Sequence, residues 1–220
     1  MSTVKPDTEG STALAGSDRR VIVIDGRSGS GKTELATALA ADTGAQVLRL
    51  DSVYPGWGGL AAGSALVPVI LAANRWQRWD WATSRYAEWH ELDPVLPLIV
   101  EGCGALSRAT RVLATYGIWV ELDDATRKTR ALARDGEAYA PHWDEWAAQE
   151  LAFIARENPA GLADEIVGGG GGNDAARTVP ATTAQAPPAT TTQAPPAPPL
   201  PVPITSADLA RWRALLVHSA

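Results

Sequence analysis

Short apolar runs alternate with longer stretches of helix-forming residues between residues 20 and 167. Five of these runs have the length of buried strands and end at turn-forming residues. They cover residues 21–24, 45–50, 96–100, 118–122 and, with the weakest pattern, 164–167. Strands that alternate with helices pair in parallel through right-handed crossovers. The pattern predicts an α/β fold of three layers, in which helices cover both faces of a parallel sheet of about five strands.

Composition changes on both sides of this domain, which covers residues 20–167. Residues 1–19 are small and polar without periodicity, which predicts a disordered segment. Residues 168–204 begin with five glycines and continue with Pro, Ala, Thr and Gln, including the near repeat TTAQAPPA and TTTQAPPA. Such a composition cannot bury a core and predicts a linker.

Residues 205–220 predict a short C-terminal helix. Thr205 and Asp208 have the spacing of a capping box at its start. Three apolar residues fall on one face of the helix: Leu209, Trp212 and Leu216. The helix therefore either packs on the domain or is presented to a partner.

Charge and cysteine content narrow the class of protein. A formal net charge of −6 over 220 residues argues against nucleic acid as a partner, because such binding needs clustered Lys and Arg. The single cysteine, Cys103, excludes an internal disulfide and fits a reducing cytoplasm. The longest apolar run, residues 60–73, is too short and too interrupted to span a bilayer. We expect a soluble cytoplasmic protein with no membrane partner.

The stretch VIVIDGRSGSGKTELA carries the strongest motif. Gly26, four residues, and then Gly31-Lys32-Thr33 have the spacing of a phosphate-binding loop between a strand and a helix. A glycine-rich turn can also be purely structural, but the full pattern at such a boundary rarely arises by chance. The fold is therefore predicted to be a P-loop NTPase fold. Its phosphate-binding residues are predicted to be Gly26, Arg27, Ser28, Gly29, Ser30, Gly31, Lys32 and Thr33.

The chemistry of nucleotide binding explains this spacing. Glycines let successive backbone N–H groups point at phosphate oxygens, and the following helix adds its positive end. Lys32 would contact the β- and γ-phosphates, and the Thr33 hydroxyl would coordinate Mg²⁺. ATP and Mg²⁺ are the expected cofactors. The guanine-reading motif of GTPases, Asn-Lys-x-Asp, is absent from the sequence, which disfavours a GTPase. The strand predicted at residues 96–100 is followed by one acidic residue, Glu101, where a motor ATPase would usually have two.

Asp51 is the candidate base. It follows the second predicted strand, where open α/β sheets bind their ligands, so its carboxylate could accept the proton of an acceptor hydroxyl. Alternatively, Asp51 only caps the turn that follows it.

Three motifs together resemble the uridine kinase and related nucleoside kinase branch of the P-loop kinases: DGRSGSGKT, DSVY after the second strand, and VEG after the third. The resemblance implies that Asp51 acts as base, that Glu101 helps hold Mg²⁺ and that Tyr54 lies in the substrate site. Without it, Glu101 would be an ordinary acidic residue at a strand end.

A fourth match to this family is the segment WVELDDATRKTRALARD. Its arginines, Arg127, Arg130 and Arg134, share one helical face. In the family the equivalent lid helix closes over the triphosphate, so the resemblance implies a catalytic role for all three. The alternative is a solvated basic face balanced by nearby acids.

Resemblance is weaker in the acceptor region, where this chain has NRWQRWDWATSRYAEWH in place of the family's longer insert. Asp80 is assigned to the place of the substrate-contacting Asp on a Trp-Asp pair alone. Trp76 and Trp79 have the i, i+3 spacing of a helix and predict core packing, with an aromatic clamp on the acceptor as the alternative. The predicted function is transfer of the γ-phosphate of ATP to a nucleoside or similar small molecule. The other hypothesis is a nucleotide-binding regulator whose terminal helix is the effector surface.

Overall fold

A computed structural model describes residues 19–41, 43–168 and 204–217. The predicted disordered segment, except for Arg19, and almost all of the predicted linker lie outside these residues. The described strands are β1 (Val21–Asp25), β2 (Gln46–Arg49), β3 (Arg75–Asp80), β4 (Arg85–Glu91), β5 (Leu98–Glu101), β6 (Tyr116–Glu121) and β7 (Glu165–Gly168). The described helices are α1 (Lys32–Ala40), α2 (Leu60–Ala73), α3 (Arg108–Arg111), α4 (Asp124–Asp135), α5 (Trp143–Glu157), α6 (Pro159–Leu162) and α7 (Ser206–Leu216). Among these helices, none combines the length and the apolar character needed to cross a bilayer.

Five of the strands form one parallel sheet in the order β2-β5-β1-β6-β7. All five lie where the apolar runs predicted them, which confirms the α/β fold with a five-stranded parallel sheet. The central strand β1 continues directly into the glycine-rich loop and α1. This arrangement is the P-loop NTPase fold.

Alternating side chains of β1 build the layers on the two faces of the sheet. Val21 and Val23 face a cluster that includes residues of α2 and α5. Ile22 and Ile24 face the opposite cluster, which includes residues of α1 and α7. Since every residue of β1 is buried, the strand reads as a continuous apolar run rather than an alternating one.

The region of Trp76 and Trp79 is a β-hairpin, so the predicted helical pairing of these residues is wrong. Strands β3 and β4 pair antiparallel, with Trp76 opposite His90 and Trp79 opposite Tyr86. The pairing shifts register between Gln77 and Trp79. Aromatic residues favour strands, and the Trp76 and His90 rings stack with centroids 4.5 Å apart, a cross-strand contact that stabilises the hairpin.

Helix α7 packs on the domain. Trp212 and Leu216 are fully buried in the cluster that contains Leu35 and Leu39 of α1. The Trp212 indole donates a hydrogen bond to Glu165 Oε2 at 2.9 Å. The capping box of Thr205 and Asp208 is present, as predicted. Of the two alternatives for this helix, the structure therefore shows docking, and its apolar face is covered.

Candidate active site

The glycines of the loop have conformations and neighbours that side chains would not tolerate. Gly29 and Gly31 have φ angles of 77° and 104°. A Cβ on Gly26 would lie 2.4 Å from the carbonyl oxygen of Val120, and one on Gly29 would lie 2.3 Å from that of Arg127. Glycine at these positions allows the loop to curl tightly against β6 and α4.

Lys32 is the first residue of α1, and its side chain folds back into the loop. The ammonium group is buried and donates a hydrogen bond to the carbonyl oxygen of Arg27 at 3.0 Å. Burial alone would lower the pKa of Lys32, but the acidic groups around it, the Cys103 thiol, Glu101 and Glu150, raise the pKa above its usual value. The lysine therefore carries its charge at neutral pH, as phosphate binding requires.

Asp51 and Glu101 approach the loop from the carboxyl ends of β2 and β5. Asp51 lies in a short 3₁₀ helix, Leu50–Ser52, that follows β2. Glu101 is the last residue of β5 and accepts a hydrogen bond from the Thr33 hydroxyl at 3.2 Å. Burial, together with the charge of Asp51, raises the pKa of Glu101 to about 7. Burial also raises the pKa of Asp51, although Arg134 opposes this shift.

These oxygen donors fit a magnesium ion. Mg²⁺ prefers hard oxygen ligands and is usually held by one or two carboxylates, a hydroxyl and the phosphates of a bound substrate. The Thr33 hydroxyl and the Glu101 carboxylate are already adjacent, and Asp51 lies in the same cleft. Thr33 and Glu101 are therefore the residues that would hold the ion.

The three predicted lid arginines occupy different environments. Arg127 is 1% exposed, donates to the carbonyl oxygen of Ser28 at 3.0 Å and pairs with Asp124. Arg130 donates to the carbonyl oxygen of Gly29 at 3.2 Å and pairs with Glu34. Arg134 pairs with its neighbour Asp135. Arg130 and Arg134 line the cleft, whereas Arg127 is bound to the backbone of the loop.

A single cleft of about 360 Å³ brings together four of the five predicted catalytic residues, all except Arg127. Its volume lies in the range of small-molecule sites in proteins. The loop and α1 contribute Ser28, Gly29, Gly31, Lys32, Thr33 and Glu34 to its lining; the strand ends, α4 and α5 contribute Asp51, Glu101, Gly102, Cys103, Arg130, Ala131, Ala133, Arg134 and Trp146.

The two remaining predicted substrate residues lie elsewhere. Tyr54 is fully buried, and its hydroxyl donates to the carbonyl oxygen of Cys103 at 2.7 Å, so it supports the wall of the cleft from behind. Asp80 lies at the hairpin turn, where it accepts hydrogen bonds from the Ala82 N–H and the Thr83 hydroxyl. Neither residue is part of the cleft lining.

Sequence reasoning missed two buried carboxylates that hold the loop in place. Asp25, at the end of β1, accepts hydrogen bonds from the backbone N–H groups of Gly26, Gly104 and Leu106. Burial raises the pKa of Asp25 to about 6. Glu150 of α5 accepts a hydrogen bond from the Ser28 N–H at 2.8 Å. An acid directly after a buried strand was a usable signal for Asp25, but nothing in the helix sequence distinguished Glu150.

Comparison with known proteins gives results at the level of structure. No model of a protein family matches the chain, and no curated protein gives a match. The structure is similar to that of a possible uridine kinase from Bacillus stearothermophilus, at 18% identity and a TM-score of 0.47, over 70% of this chain and 91% of that one. It is also similar to shikimate kinase from Acinetobacter baumannii, at 17% identity, a TM-score of 0.41 and coverage of 72% and 88%. A third similar structure is that of a gluconokinase from Sinorhizobium meliloti, at 19% identity and a TM-score of 0.43, over 67% of this chain and 81% of that one.

Proposed function

We propose that the chain is an ATP-dependent phosphotransferase that transfers the γ-phosphate of ATP to a hydroxyl group of a small molecule. The observation that carries the proposal is the position of Asp51. Its carboxylate lies in the same cleft as Lys32, and no group among the described residues donates a hydrogen bond to it. A carboxylate held beside a phosphate loop with its oxygens uncommitted suits a base for an incoming hydroxyl.

Each group around the cleft has a role in this reaction. Lys32, Arg130 and Arg134 would balance the negative charge on the phosphoryl group as it moves. Asp51 would orient the acceptor hydroxyl and accept its proton as the oxygen attacks phosphorus and the bond to ADP breaks. Thr33 and Glu101 would hold Mg²⁺, which would supply positive charge to neutralise the phosphates.

The acceptor is proposed to be a nucleoside or a similar small metabolite. The support comes from the sequence motifs DSVY and VEG, whose resemblance to nucleoside kinases implies a base at Asp51 and a metal ligand at Glu101. The two residues lie together in the cleft. Tyr54 and Asp80 are not included among the proposed acceptor contacts, because the one is buried behind the cleft wall and the other caps the hairpin turn.

Asp51→Asn separates catalysis from binding. We expect turnover to fall about 10²- to 10⁴-fold, because the amide cannot accept the proton, while ATP affinity changes less than about threefold. ADP formation with a panel of nucleosides and sugars measures the first effect, and titration calorimetry with ATP measures the second.

Asp144→Asn is the matched control, since Asp144 is exposed on α5 and outside the cleft. Unchanged acceptor-dependent turnover in Asp51→Asn would exclude Asp51 as the base of the proposed reaction.

A further inference from the structure

The side chain of Arg27 points away from the cleft, although its backbone belongs to the phosphate loop. Its Nε atom donates to Glu150 Oε2 at 3.2 Å, and Nη1 donates to Asp124 Oδ1 at 2.7 Å. Glu150 belongs to α5, and Asp124 is the first residue of α4. Arg27 therefore links the loop to two helices at once rather than contacting the ligand site.

Glu150 is buried and accepts hydrogen bonds from three groups, two of them in the loop. Its carboxylate accepts hydrogen bonds from the backbone N–H of Ser28 at 2.8 Å and from the Cys103 thiol at 3.3 Å, in addition to Arg27. A carboxylate that is only 2% exposed is tolerated in a protein interior when such donors satisfy it. The N–H of Ser28 is consequently held by Glu150.

Arg127 makes a second connection between the loop and α4. Its guanidinium group donates to the carbonyl oxygen of Ser28 and shares Asp124 with Arg27. The backbones also touch here, because a Cβ placed on Gly29 would lie 2.3 Å from the Arg127 carbonyl oxygen. The first turn of α4 cannot leave the loop without breaking all of these contacts.

Contacts between α4 and the loop continue beyond the first turn. Arg130 donates to the carbonyl oxygen of Gly29 and pairs with Glu34 of α1. Arg134, in the last turn, pairs within its own helix, with Asp135. Among the described residues, the hydrogen bonds between α4 and the loop therefore lie between its first residue and Arg130.

We infer that Arg27 and Glu150 are positioning residues that fix the start of α4, and with it the lid arginines, to the phosphate loop. The inference rests on the proposed function, in which the loop holds ATP. Arg127 then holds the start of α4 in place, and Arg130 and Arg134 are the lid arginines that line the cleft.

Amide hydrogen exchange of the full chain without nucleotide tests this attachment. In Glu150→Gln and in Arg27→Met, the amides of residues 127–129 should exchange about tenfold faster than in the unmodified protein. Glu145→Gln, which replaces an exposed glutamate on the same helix as Glu150, should leave their exchange unchanged. Unchanged exchange of these amides in both Glu150→Gln and Arg27→Met would overturn the inference.

Nucleotide affinity distinguishes positioning from a general loss of structure. ATP should bind about tenfold more weakly to Arg27→Met, with part of the affinity recovered in Arg27→Lys and the KM of the acceptor unchanged. If the other variants fail to fold, Asp124→Asn, at a half-exposed position, removes the charge that pairs with Arg27 and is expected to weaken ATP binding as well. ATP binding within twofold of the unmodified protein in all of these variants would contradict the inference. If the unmodified protein bound no ATP, the proposed function would fail, and hydrogen exchange would still decide whether Arg27 and Glu150 hold α4 to the loop.

Discussion

The charge of Glu101 is sensitive to conditions near neutral pH. It is buried at the end of β5 beside Asp51, and its pKa is raised to about 7. A metal ion binds the ionised carboxylate and competes with the proton. Magnesium binding at this site should therefore depend on pH near neutrality, where most carboxylates are already fully ionised.

The apparent affinity of the ATP complex for Mg²⁺ should rise about tenfold between pH 6 and pH 8, because the ionised fraction of Glu101 rises by that factor. Glu101→Gln should bind Mg²⁺ weakly at both pH values and lose this dependence. Metal titrations followed by calorimetry measure both effects, and Glu137→Gln, at an exposed position, is the control. A pH dependence equal in Glu101→Gln and the unmodified protein would exclude Glu101 as the metal ligand.

At the scale of single residues, the sequence predicted which residues meet in the cleft where this depends on strand ends and on the loop motif. Lys32, Thr33, Asp51 and Glu101 share one cleft because parallel strands bring their carboxyl ends to the same edge. Tyr54 and Arg127 lie in or next to predicted motifs, but the direction of a side chain depends on packing between distant segments. Spacing along the chain does not encode that packing, so the structure was needed to show that Arg127 contacts the loop backbone.

At the scale of elements, the five sheet strands could be predicted because each is a short apolar run with turn residues at its ends. The hairpin of β3 and β4 could not be predicted in this way, because none of its residues is fully buried and many of them are charged. The register shift near Gln77 also disrupts the two-residue period that identifies a strand. Two tryptophans three residues apart then imitate the spacing of a helix.

Helix α7 is expected to contribute to the stability of the domain, although most of the linker before it lies outside the described residues. Trp212→Ala should lower the free energy of unfolding by about 3–5 kcal/mol, because it removes a fully buried indole next to α1. Chemical denaturation measures the change. Trp89→Ala, which replaces an indole that is 59% exposed, should cost less than about 1 kcal/mol. Equal effects of the two substitutions would mean that α7 is not docked in solution.

At the scale of the whole molecule, two buried acids make the stability dependent on pH. The pKa values of Asp25 and Glu101 are raised to about 6 and about 7 by burial, from 3.8 and 4.5. At a pH between its unfolded-state and folded-state pKa values, each acid keeps its proton in the folded protein but has lost it in the unfolded chain. The stability that these protons contribute is therefore fully present below the unfolded-state pKa values and is lost as pH rises through the folded-state pKa values.

Unfolding in denaturant at pH 5 and pH 8 tests this linkage. The contribution of Glu101 alone should make the unmodified protein about 2–3 kcal/mol less stable at pH 8 than at pH 5. Glu101→Gln should remove that part of the decrease, and Mg²⁺ with ATP should offset it in the unmodified protein by binding the ionised form. A decrease of the same size in Glu101→Gln would show that Glu101 does not titrate in this range.

The central claim is that the cleft transfers phosphate from ATP to a hydroxyl acceptor. Its most direct test is ADP formation by the purified full chain with ATP, Mg²⁺ and a panel of nucleosides, sugars and vitamin precursors, with mass spectrometry of the products and Lys32→Ala as the control. We predict ADP that depends on one class of acceptor, an equal amount of phosphorylated acceptor, and neither product in Lys32→Ala. Tight ATP binding with no acceptor-stimulated turnover across the panel would contradict the claim and would favour a nucleotide-binding regulator.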